Sequence, residues 1–129
     1  MRAIDTNIVV RLLTADDAEQ AEAARRVVEA GDIFLGVTVL LEAEWVLRAG
    51  YKFQPQQIVA AFRGMAGLPG VTVEAPVQLA TALDWLEGGM DFADALYLAR
   101  SSHCRDLVTF DQKFAKRAKA LATIPVTIP

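Results

Sequence analysis

Short apolar runs alternate with helix-patterned segments along the whole chain, and that alternation constrains the fold more than any other feature. Residues 2–5, 33–35, 71–73, 107–110 and 126–128 read as strands. Between them, 7–13, 17–30, 38–49, 56–65, 76–87, 92–102 and 111–121 read as helices. Gly31, Gly50 and the Gly88-Gly89 pair supply stops. Thr38 and Asp91 supply caps, and Pro55 and Pro76 supply first turns. Strands separated by helices predict a parallel sheet with helices on both faces, an α/β architecture. Helical residues dominate, so the sheet is expected to be small.

The chain has 129 residues, 53% of them hydrophobic, which suffices for a single domain, 1–129, with its own core. No apolar stretch approaches the roughly 18–20 residues of a membrane span, and the start M-R-A-I-D lacks the apolar core of a secretory signal. Its single cysteine, Cys104, excludes an internal disulfide framework and fits a reducing cytosol. The net charge of −3 argues against a binder driven by a broad basic patch. It does not argue against a nuclease, because a bound metal inverts the local charge of an acidic site.

Four acidic residues stand apart from the solvated charges because each lies beside an apolar or small-residue segment. They are Asp5 in R-A-I-D-T-N, Glu42 in V-T-V-L-L-E-A-E-W, Asp94 in D-F-A-D-A-L and Asp111 in L-V-T-F-D. Carboxylates resist burial unless desolvation is offset, and a hard divalent cation with oxygen ligands is the usual means. Parallel sheets bind ligands beyond the carboxyl ends of their strands. Asp5 ends the first strand segment and Asp111 follows 107–110, so both enter one crevice if those strands are neighbours. Asp94 and Glu42 each lie one turn into a helix wrapped in apolar residues.

These four segments, in this order and over nearly the whole chain, resemble the PIN-domain family, and most closely the VapC-type toxins of bacterial toxin–antitoxin modules. The resemblance implies a three-layer α/β/α sandwich and a Mg²⁺- or Mn²⁺-dependent ribonuclease. It also implies a cognate antitoxin that occupies the site. Carried over by position, the resemblance makes Asp5, Glu42, Asp94 and Asp111 the acidic quartet, and it matches Thr6 or Asn7, and Thr109, to small polar positions that orient ligands or waters.

Plain structural roles compete with these assignments. Asp5 and Asp111 also suit helix caps, which does not preclude ligation. Asp91, one turn before Asp94, reads chiefly as a cap with an outer role at the site. Glu42 and Glu44 point about 200° apart on one helix, so only one can face the crevice. The resemblance selects Glu42 and leaves Glu44 at the surface or an interface. His103 reads as a surface residue, Cys104 as a small buried hydrophobe, and Trp45 and Trp85 as core or interface. Lys113, Lys116, Arg117 and Lys119 read as a solvated helix face that could also meet RNA phosphates near Asp111.

The expected chemistry is hydrolysis of an RNA phosphodiester by metal-activated water, with no covalent intermediate. A fold-retaining RNA- or antitoxin-binding module without turnover is the alternative. An aspartyl-phosphate mechanism is disfavoured, because D-T-N lacks the second acid of D-x-D. Val39, Leu40, Trp45, Leu47, Ile58 and Phe62, taken as exposed helix positions, suggest a homodimer and a groove for a partner helix.

Overall fold

The computed structural model describes residues 1–129, and the chain divides into two compact units, Met1–Pro76 and Val77–Pro129. No helix is long and apolar enough to cross a membrane.

The first unit contains β1 (Arg2–Ala3), α1 (Thr6–Thr14), α2 (Ala18–Glu29), β2 (Ile33–Leu35), α3 (Val37–Tyr51), α4 (Pro55–Ala66) and β3 (Val71–Val73). Its three strands are all parallel, in the order β1-β2-β3. Ile33 pairs with Arg2 on one side and with Val71 on the other. As the central strand, β2 is the most apolar, and Ile33 and Leu35 are fully buried. Helix α1 packs on α2 and α3, and α3 packs on α4. Val9, Leu40, Leu47, Ile58 and Phe62 fill the space between them.

Gly31 and Gly70 both adopt positive φ, and their backbones pass so close that a Cβ on Gly70 would lie 2.8 Å from the Cα of Gly31. Only glycine fits that crossing. The crossing leads directly into the Ile33–Val71 pair.

The second unit contains α5 (Pro76–Glu87, whose first residue falls at the boundary), α6 (Phe92–Arg100), β4 (Leu107–Val108), α7 (Gln112–Ala118) and β5 (Val126–Thr127). Strands β4 and β5 pair in parallel, Leu107 with Val126. Leu79, Leu83, Phe92 and Leu98 form its core.

The α/β class with parallel strands is as the sequence predicts, and several details differ. The strands fall into two sheets, β1-β2-β3 and β4-β5. Helix α3 begins at Val37, before Thr38, because its cap comes from another strand's end. Glu74, just after β3, accepts the Val37 amide through Oε1 at 2.9 Å. Gly50 lies inside α3, and Lys52, at φ 60°, ends the helix instead. Helices α6 and α7 stop short of the expected 102 and 121.

The helix faces also differ from expectation. Leu40, Leu47, Ile58 and Phe62 are core residues, so of the proposed apolar surface only Trp45, 59% exposed, is openly solvent-facing. Cys104 is exposed, because it follows α6 in a turn outside the core.

Candidate metal and nuclease site

Three of the candidate carboxylates are helix caps. Asp5 accepts the Ile8 amide at 3.2 Å and opens α1. Asp91 accepts the Asp94 amide at 3.1 Å and opens α6. Asp111 accepts the Phe114 amide at 3.0 Å and opens α7. A cap satisfies an orphan donor of the first turn and places the carboxylate in the positive end of the helix dipole. One oxygen of each is engaged in that bond, so the cap itself leaves the other oxygen for a ligand.

The strand ends set these caps in place. Ile4 donates to the Phe34 carbonyl at 3.3 Å, extending the β1–β2 pairing up to Asp5. Thr109 donates to the Thr127 carbonyl at 2.9 Å, extending β4–β5 in the same way. The Thr109 hydroxyl then accepts the Asp111 amide at 3.0 Å and fixes the turn into α7. Thr109 is thereby a positioning residue for Asp111. Thr6 and Asn7 occupy the first turn of α1 beside Asp5, Thr6 half-buried and Asn7 exposed.

Asp94 is the exception. It lies in the first turn of α6 among the buried residues Phe92, Ala95, Leu96 and Leu98, and it is half-buried itself. Burial, then the charge of Asp91, then that of Asp111 all push its carboxyl above its ordinary range. Every cause acts in the same direction. Asp94 is thus held where its negative charge is unfavourable, with two further carboxylates close enough to be felt. Cations are what such an arrangement favours.

Glu42 lies exposed on α3 in the first unit, as does Asp5 ahead of α1. Glu44 departs from expectation. It is the buried charged residue of the chain, at 4% exposure, and Arg48 donates to it through Nε at 2.8 Å. Position 44 shares the helix face of Leu40 and Leu47, and an arginine one turn later makes burial of the charge tolerable. His103 is exposed, as expected.

The donor chemistry suits a hard divalent cation, since the candidate ligands offer only oxygen. No group of three or more Asp, Glu, His or Cys side chains is gathered into an arrangement that could hold a metal ion. The fit therefore lies in ligand type and in the charge frustration at Asp94.

The chain matches the PIN domain over residues 3–120, a span that includes all four candidate acids. It belongs to the PIN domain family. PIN domains are generally nucleases, so the α/β fold described above is a nuclease fold. A comparison with curated proteins gives no match.

Proposed function

We propose that this chain is a metal-dependent endoribonuclease, the toxin component of a VapBC-type toxin–antitoxin pair. The observation that carries the reading is Asp94, a half-buried acid whose proton affinity is raised by burial and by Asp91 and Asp111. Asp5, Asp94 and Asp111, with Glu42 directly or through water, would hold Mg²⁺ or Mn²⁺. When bound, such a cation lowers the pKa of a water and offsets charge on the phosphate in the transition state.

The protein's own contribution is to hold charge in place. Caps at Asp5 and Asp111 fix two carboxylates to rigid helix starts. Thr109 fixes the turn that carries Asp111. Asp94, whose carboxyl burial, Asp91 and Asp111 hold above its ordinary range, is the acid whose negative charge a bound cation would most relieve. No Ser–His or Cys–His pair is called on for a nucleophile.

A cognate antitoxin, a homodimer and a cytoplasmic location belong to the same proposal. Exposed Trp45 offers an apolar anchor for either kind of partner. Sedimentation as a monomer at micromolar concentration removes the homodimer. A second reading, a PIN-fold RNA- or antitoxin-binding module without turnover, is favoured by the absence of a gathered metal-holding group.

Cleavage of total RNA by antitoxin-free protein separates the two. The nuclease reading expects fragments with Mg²⁺ or Mn²⁺ that disappear with EDTA and with Asp94→Asn. Intact RNA in every lane, together with no metal uptake, supports the binding module.

A further inference from the structure

The segment around Asp111 carries features that metal chemistry does not use. Phe110, immediately before Asp111, is 86% exposed, the most exposed large hydrophobic side chain of the chain. Helix α7 turns Phe114, Ala115 and Ala118 inward. Lys113, Lys116 and Lys119, at successive three-residue intervals, remain exposed. Together with Val126, Thr127 and Ile128 they line a groove of about 700 Å³ along β5, and no acidic residue lines it. This concentration of positive charge stands in a chain whose net charge is −3.

A solvated, well-terminated helix accounts for part of the pattern. Lys116 lies in the last turn and Lys119 caps the C-terminus, where the helix dipole favours cations. Lys113 is in the first turn, where the dipole opposes a cation, so helix stability does not explain it. Nor does folding explain a nearly bare Phe110. Both are accounted for by a ligand that presents phosphates and aromatic faces together. Three residues of helix advance about 4.5 Å, a step that flexible lysine side chains can match to successive phosphates.

We propose that the α7–β5 groove is the path of single-stranded RNA toward Asp111. Lys113, Lys116 and Lys119 contact consecutive phosphates, and Phe110 stacks on a base beside the bond to be cut. This rests on the ribonuclease reading above and adds where the strand binds and which side chains hold it. A duplex, with its bases already stacked on one another, has no free face for Phe110 and binds more weakly.

The test is fluorescence anisotropy of a labelled single-stranded RNA, and of the same RNA annealed as a duplex, with EDTA present so that binding is read without cleavage. Circular dichroism verifies the fold of each variant. The triple variant Lys113→Ser/Lys116→Ser/Lys119→Ser is expected to weaken single-strand binding by at least about tenfold and to reduce the log K against log salt slope by about two. Phe110→Ala is expected to weaken it by about 5- to 100-fold with the slope unchanged. Wild-type affinity and slope in the triple variant overturn the proposal, as does equal affinity of the wild type for duplex and single strand.

Restoring Mg²⁺ keeps the two readings apart. Binding with the expected slope but no cleavage sinks the nuclease reading and leaves the groove standing. Cleavage that the triple variant performs as well as the wild type sinks the groove alone.

Discussion

Asp91 accepts the Asp94 amide at 3.1 Å, and, after burial, the charge of Asp91 and then that of Asp111 raise the Asp94 carboxyl's hold on its proton. Asp91, Asp94 and Asp111 thus stand where their charges oppose one another.

That relationship has a signed consequence for metal-free protein. The folded pKa of Asp94 is raised, so its contribution to stability is fully present below the unfolded value near 3.8 and is lost as pH rises through the folded value. Thermal melts in EDTA across acidic to neutral pH should show Asp94→Asn gaining on the wild type as pH rises through that window. A constant difference between the two proteins would remove the charge-frustration argument.

The caps permit a separation of folding from chemistry. Asn caps a helix about as well as Asp, so Asp5→Asn and Asp111→Asn should stay within about 1 kcal/mol of wild-type stability by denaturant melts. Both lose the anionic oxygen, and RNA cleavage should fall by at least about 100-fold. Full activity in either variant would reduce that residue to a cap.

A second charged cluster lies in the first unit. Tyr51 donates to Asp16 at 2.6 Å, and Arg11 reaches both, at 3.1 Å to the Tyr51 hydroxyl and 3.0 Å to Asp16. The Tyr51 hydrogen bond is the largest cause holding the Asp16 carboxyl below its ordinary value near 3.8. Its stabilising contribution is therefore present above that value and lost as pH falls through the lowered one. Tyr51→Phe should melt lower than wild type at neutral pH, with the gap closing in stronger acid.

Two glycines should respond in opposite senses. Gly70→Ala forces a positive φ on alanine and drives Cβ against the Gly31 backbone, a loss of about 1–3 kcal/mol or more by chemical denaturation. Gly50 lies within α3 with open space at its Cβ position, so Gly50→Ala should gain about 0.5–1 kcal/mol.

What the sequence made legible follows from how local each signal is. Strand β2 and helix α5 fall on their expected residues, 33–35 and 76–87, because glycine and proline punctuate them within a few positions. The caps Asp91 and Asp111 were visible for the same reason. The start of α3 was not, since its cap is Glu74, distant in sequence. Apolar positions on α3 and α4 reveal that those helices bury a face but not which one, and Leu40 and Phe62, which read as surface, lie in the core. The same ambiguity hides the burial of Glu44, although Arg48 four residues later is a usable sign of a buried pair. The exposure of Phe110 had no local signal, because a strand-end aromatic reads as core until its neighbours are placed.

Metal-dependent cleavage requires Asp94 to hold a divalent cation, and titration of Mn²⁺ into metal-free protein, followed by loss of the free-ion paramagnetic resonance signal, tests that requirement. The prediction is saturable uptake by the wild type and at least about tenfold weaker uptake by Asp94→Asn. Equal uptake by both proteins, or none by the wild type, would contradict it.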